Sequence, residues 1–389
     1  MSNEEFSAVI LAGGVGFRLR PLTTTRPKPL VPVGNHSMLD YAIDLVRHAG
    51  IKKIIVAVKY LGQQIRDHVT RRLEDNCYGD IEIYIPEIDP KDTADAVRRC
   101  AHLIDGPFVV SMADVVTNIH LEKFLDYHKR KDSFASITLK GVEQPLQFGV
   151  IMLDDNQRIN LFLEKPIPQE LYLTTLAFSQ KQSSSLESNL VNTGMYAFKA
   201  ELLDLLRSYS DLMDFGKHVF PYLLSEKYSI YGYIQDYYWI DCGTPEKYLW
   251  GNWDLLRQWA WPLVPPGKIN DAKFTYIQEG ITIETGAKIE THVALGTNVR
   301  IREGAIIKPL TVIGSSCQIG SKSIIEGSVC WENVTIGSNC KITKAILCDG
   351  ATIEDNCTLE PGSIIGQNVI VSSGSTLQKG TILHPPEEK

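Results

Sequence analysis

LAGGVGFRLRPLTTTRPKPLVPVGN (11–35) is where an apolar run gives way to glycines and then to fixed positive charge. The residues leading into it, SAVILAG (7–13), are apolar almost without break, the character of a strand buried on both faces of a sheet. Gly13, Gly14 and Gly16 allow backbone N–H groups to approach a polyphosphate and cradle it as a nest. Arg18, Arg20 and Lys28 follow, supplying cations for charge on a transferring group. The segment matches neither GxxxxGK[ST] nor GxGxxG, which argues against P-loop NTPases and ordinary dinucleotide-binding folds.

Working outward, strand and helix patterns alternate. KKIIVAVKY (52–60), DIEIYIPE (80–87) and GPFVVSMAD (106–114) read as strands. MLDYAIDLVRHAG (38–50), GQQIRDHVTRRLED (62–75) and TADAVRRCAHLI (93–104) read as helices. The alternation predicts an α/β domain with a parallel or mixed sheet, and ligands in such sheets bind beyond the C-terminal strand ends. The glycines and Asp114 fall there. The Ser/Gln-rich stretch LAFSQKQSSSLESN (176–189) predicts a mobile surface loop, and WAWPLVPPG (259–267) a linker. The expected division is 1–262, a linker over 263–280, and 281–389.

From about residue 281 a six-residue period takes over. Ile283, Ile289, Leu295, Ile301, Ile307, Ile313, Ile319, Ile325 and Trp331 are spaced by six, and after single-residue slips the series runs on through Leu347 to Leu377. Small residues such as Ala305, Cys317, Val329, Cys340 and Cys357 stand two places before the large ones. A small and a large inward residue followed by a turn is the repeat of a stacked β-solenoid, about 17 hexads in five to six coils. The cysteines in the small position are packing residues, not metal ligands.

Composition narrows the partners. The chain has 389 residues, 22% charged, and a net charge of −7 with no long basic block, so nucleic acid and anionic membranes are poor partners. No apolar run is long enough to span a bilayer. The acidic N-terminus MSNEEF and the absence of any CxxC pair lead us to expect a reduced, cytoplasmic protein.

Five segments in order, the loop at 11–35, SMADVV, FGV with LEKP, NTGMY, and YYWIDCGTPEKY, resemble the sugar-1-phosphate nucleotidylyltransferases over nearly the whole chain. The resemblance implies a Rossmann-like mixed-sheet nucleotidyltransferase domain followed by a left-handed parallel β-helix. That handedness departs from the usual right-handed crossover and comes from the resemblance alone. It implies NTP and sugar 1-phosphate as substrates, with nucleotide contacts at Leu11, Ala12, Gly13, Gly14, Gly16, Glu87, Asp92 and Thr93. Gly149, Glu164, Asn192 and Thr193 would meet the sugar, Lys165 the sugar phosphate, and Arg18 and Lys28 the reacting phosphates. Asp114 and Asp241 would hold Mg²⁺, since two carboxylates from distant segments suit an ion that keeps waters and takes phosphate oxygens. Lys217, in MDFGKHVFP, falls in a segment that flanks the sugar site in the family.

Three positions depart from the family pattern: Phe17 for threonine, Ala113 for glycine, and Asp92 for the glycine of a GTA turn. They bear on nucleotide affinity and base choice. A carboxylate at Glu87 matches the N1–H and N2–H donors of guanine, which favours GTP with mannose 1-phosphate. TADAVR resembles adenylyl-type members, so adenylyl, uridylyl or thymidylyl transfer to glucose 1-phosphate stays open. So do an NDP-sugar-binding regulatory subunit and a bifunctional enzyme with acyltransferase activity in the solenoid. An open-ended solenoid further leads us to expect a homo-oligomer.

Overall fold

The computed structural model describes residues 3, 5–143, 145–170 and 189–385. The stretch read as a mobile loop, 176–189, therefore lies outside the described residues except for Asn189. The chain forms two compact units. One comprises Met1–Gly14, Ala42–Ala113 and Ile119–Tyr237; the other comprises Val15–Tyr41, Asp114–Asn118 and Tyr238–Lys389.

The first unit is built on a nine-stranded mixed sheet. Ser7–Ala12 lies between Lys53–Val58 and Phe108–Met112, all parallel, and Glu82–Tyr84 extends the parallel part at one edge. All six residues of Ser7–Ala12 are buried, which explains its unbroken apolar sequence. On the other side Leu190–Phe198 runs antiparallel to Phe108–Met112 and to Ala135–Gly141. The hairpin of Gly149–Leu153 and Ile159–Glu164 adds two strands there, and Ile230–Ile234, parallel to Ala135–Gly141, is the ninth. Helix Thr93–Cys100 contributes Ala94, Val97 and Cys100 to a core shared with Val9, Ile55 and Phe108. Gly13, Lys59 and Ala113 each stand just past the C-terminal end of a parallel strand.

In the second unit, short strands stack into three parallel faces. Two faces have six strands; the third has eight, its first strand, Lys268–Asn270, running antiparallel to the next. Corners turn through residues at positive φ, many of them asparagines: Asn298, Asn333, Asn339, Asn356 and Asn368. Asparagine tolerates this left-handed conformation better than most side chains. Leu295, Ile301, Ile307, Ile313, Ile319 and Ile325 fill the lumen with no exposed surface.

One hexad differs from the sequence reading. Ile313 is opposite Cys330 and Val312 opposite Val329, so Cys330 and not Trp331 is the large lumenal residue there. Ser328, fully buried and bonded to the Ala345 N–H, takes the small position expected for Val329. The step from Ile325 to the next lumenal residue is thus one residue short. This slip turns Trp331 outward against Tyr248, Val31 and Val33. Cys317, Cys340 and Cys357 line the lumen as expected, and burial pushes the Cys317 thiol up to about 12.

No helix among the described residues is long and apolar enough to cross a membrane. Leu347→Ala, in the lumen, is expected to cost about 3 kcal/mol and lower the urea midpoint of the solenoid. Ile370→Ala, at a residue 64% exposed, should change it by less than about 0.5 kcal/mol. Equal effects of the two substitutions would contradict the assigned lumen.

Candidate active site

In the second unit the candidate charges converge. Strand Trp239–Asp241 pairs antiparallel with Val115–Thr117, placing Asp241 opposite Val115 and so beside Asp114. Lys28 enters a short 3₁₀ turn, Lys28–Leu30, between Pro27 and Pro29. Its ammonium donates to Asp114 Oδ2 at 2.6 Å and lies 3.5 Å from Asp241 Oδ1. Arg18, largely exposed, lies 3.8 Å from the other Asp241 oxygen. Burial alone would lower the Lys28 pKa, but the charges of Asp114 and Asp241 overcome it and hold the lysine above its ordinary value.

The loop carrying Lys28 is tightly folded. Gly16 adopts φ 68°, and a Cβ there would come within 3.1 Å of Thr23 and 3.3 Å of Lys28 Cβ. Thr23 donates its hydroxyl to the Gly16 carbonyl at 2.8 Å. Phe17, where the sequence departs from the family, is two-thirds exposed and lies under the Arg20 guanidinium at 4.5 Å.

The first unit holds a second cluster. Glu164 ends its strand, and Lys165 follows at φ 47° with its ammonium 3.5 Å from Glu164 Oε1. The Glu164 carboxylate is pressed between two glycines. A Cβ on Gly149 would lie 2.9 Å from Oε2, and one on Gly216 only 2.6 Å. Both positions therefore exclude a side chain while the carboxylate stays in place. Burial raises the Glu164 pKa; Lys165 opposes this and Asp214 adds to it.

Asp214 ties further candidates to this cluster. It accepts from the Lys217 N–H at 2.8 Å and from the Thr93 hydroxyl at 2.8 Å. Asp92 caps helix Thr93–Cys100, accepting from the Thr93 N–H at 2.9 Å, and burial and the neighbouring Asp214 carboxylate push its pKa up. Asn192 donates to Tyr196 Oη at 2.9 Å and accepts from the Gly194 N–H at 2.9 Å. Thr193 is buried, its hydroxyl engaged with Thr138 and Tyr237.

Other candidates stand at the strand ends or apart. Leu11 and Ala12 are buried in the first strand, the Leu11 carbonyl accepting from the Ala113 N–H at 3.1 Å. Gly13 is half-buried and Gly14 exposed. Glu87 is exposed, and its carboxylate lies 3.9 Å from Arg66 rather than from another candidate residue.

Sequence reasoning missed Asp214 and Gly216. Asp214-Phe215-Gly216-Lys217 carried a signal only through Lys217. The aspartate matters as the acceptor for the Thr93 hydroxyl and the glycine as a neighbour of Glu164, and both depend on a contact distant in sequence.

A protein-family model described as nucleotidyl transferase matches residues 7–258. A second, described as the EIF2B subunit epsilon LbH domain, matches residues 272–377, which identifies the solenoid as a left-handed β-helix. A UTP–glucose-1-phosphate uridylyltransferase of Synechocystis is 27% identical over 338 residues, 84% of this chain and 82% of the relative. A probable mannose-1-phosphate guanylyltransferase of Arabidopsis thaliana is 27% identical over 98% of this chain and 97% of the relative. A mannose-1-phosphate guanyltransferase of Yarrowia lipolytica is 30% identical over 63% of this chain and 62% of the relative.

The raised pKa of Glu164 sets a test with a definite sign. Its ionised form is disfavoured in the fold, so the cost of charging it appears as pH rises from the ordinary glutamate value, about 4.3, through the higher folded value. Glu164→Gln removes that cost. The variant should melt above the parent at pH 7, and the gain should vanish below about pH 4, where both side chains are neutral. A gain independent of pH would contradict the assignment.

Proposed function

The chain belongs to the nucleotidyl transferase family, and on that premise we propose that it joins an NTP to a sugar 1-phosphate, releasing pyrophosphate, with GTP and mannose 1-phosphate as the pair. The observation that carries the reaction is the position of Lys28, a buried ammonium held by Asp114 and Asp241.

The chemistry asks little beyond charge and position. A phosphate oxygen of the sugar 1-phosphate, already anionic, attacks the α-phosphorus of the NTP. A new P–O bond forms, the α–β bridging bond breaks, and the electron pair leaves on pyrophosphate. No general base is required, so the absence of a histidine from the roles assigned here raises no difficulty. Lys28 and Arg18 neutralise phosphate charge, and the backbone N–H groups of the Gly13–Gly16 turn donate to the polyphosphate oxygens. Glu164 accepts sugar hydroxyls while Lys165 meets the sugar phosphate. Gly149 and Asn192 line the sugar, with Thr193 supporting that strand from the interior.

Asp114 and Asp241 fit Mg²⁺. Both are hard oxygen donors, and both already approach one cationic group, the Lys28 ammonium. When bound, Mg²⁺ would supply charge neutralisation on phosphate oxygens. The choice of GTP rests on Glu87, an exposed carboxylate near Arg66 whose oxygens match the guanine donors, and on relatives named for guanylyl transfer. Ile283, Ile370 and Ile382 stand exposed on the solenoid, apolar surface of the kind a second copy covers, which supports a homo-oligomer. Light scattering at micromolar concentration should give a multiple of the chain mass, and a monomer would exclude it.

Pyrophosphate release with Mg²⁺, crossing GTP, ATP, UTP and dTTP with mannose and glucose 1-phosphates, tests the reading. Turnover is expected with GTP and mannose 1-phosphate. Asp114→Asn, Asp241→Asn and Lys28→Met should each lose about 100-fold or more in kcat. Silence of the parent across the whole panel would reject the reaction; turnover with another pair would reject only the substrate choice.

A further inference from the structure

The irregular hexad of the solenoid has a counterpart in the loop that carries Lys28. Because the repeat slips before Cys330, Trp331 leaves the lumen, and the Arg26 guanidinium lies over its ring at 5.0 Å. The indole is itself fixed: its N–H donates to Tyr248 Oη at 2.8 Å, and that hydroxyl donates to the Pro32 carbonyl at 2.6 Å. One residue further, the Glu332 N–H donates to Asp349 Oδ1 at 3.1 Å, orienting a carboxylate on the neighbouring coil. The other oxygen of Asp349 receives Arg26 at 2.6 Å. Arg26 spends its remaining terminal nitrogen on the Leu30 carbonyl at 3.3 Å.

Arg26 thus bridges a solenoid carboxylate and the far end of the turn Lys28–Leu30. Between its two anchors lie Pro27, Lys28 and Pro29. Proline rings restrict φ, so fixing Arg26 and Leu30 leaves Lys28 little freedom. Arginine suits the post because its planar fork bonds in two directions while its face stacks on an aromatic ring, which an ammonium cannot do.

We propose that Asp349, through Arg26, is a positioning residue for Lys28, so that the solenoid completes the phosphate-binding loop of the transferase. The catalytic side of this inference rests on the reaction proposed above; the positioning side rests on the geometry alone. The contacts assigned to the sugar phosphate, Glu164 and Lys165, are not part of this linkage.

Two measurements separate these parts. Hydrogen exchange at the Leu30 and Val31 amides, which donate to the Pro27 and Lys28 carbonyls, reads the turn directly. In Asp349→Asn these amides should exchange about tenfold faster, while Ile10 and Val56 of the sheet keep the parent rate. Steady-state kinetics should give a kcat about tenfold lower with the sugar 1-phosphate KM within about twofold of the parent. Arg26→Gln, approached from the other side of the pair, should reproduce both effects, and the double variant should add nothing to either. It also serves if Asp349→Asn does not fold. Unchanged exchange at Leu30 and Val31, additive effects, or faster exchange with an unaltered kcat would each overturn the proposal. A parent chain without turnover would reject the proposed reaction, and the exchange data would still decide the positioning.

Discussion

Lys28 is buried, and it keeps its charge because two carboxylates lie within 3.5 Å of its ammonium. Without them burial would favour the neutral amine. The converse holds as well. Asp114 and Asp241 come from segments far apart in sequence, brought together by one short antiparallel ribbon. The Lys28 ammonium is the cation that both carboxylates approach, and without it two like charges would be left without a counter-charge. The ribbon, the 3₁₀ turn and the ion triad therefore depend on one another.

A different constraint governs Glu164. Its carboxylate is accommodated by the removal of side chains, at Gly149 and Gly216, rather than by the addition of partners. Close glycines keep the group in one place, and burial raises its pKa. The same cluster recruits Asp92, a departure from the family pattern, as the cap of a short helix beside Asp214. The Asp92 carboxylate satisfies a helix N–H that a glycine there would leave to water.

The solenoid is more than a stack of repeats. Where the hexads run true, the lumen takes aliphatic residues and cysteines. Where one residue is missing, the phase of inward and outward positions shifts, and a tryptophan too large for that position is placed outside. There it is shared with Tyr248 and the loop over residues 26–33. A defect in periodicity thus becomes a binding surface for another part of the same chain.

Much of this was legible in the sequence. The glycine loop after a buried strand, the strand–helix alternation and the six-residue period are local patterns, and backbone geometry converts local pattern into structure directly. Arg18, Lys28, Asp114, Asp241, Glu164 and Lys165 stood out because their residue types match phosphate, metal and sugar chemistry. What only the tertiary structure decided are contacts between residues distant along the chain. These are the ion triad around Lys28, the capping of the Glu164 site by Gly216 and Asp214, and the pairing of Arg26 with Asp349. The phase of the slip belongs with them, since the six-residue spacing pointed to Trp331 and only the opposing strand placed Cys330 in the lumen instead. A sequence states which side chains are available; which of them face one another depends on chain closure and packing, and those are set only when the whole fold has formed.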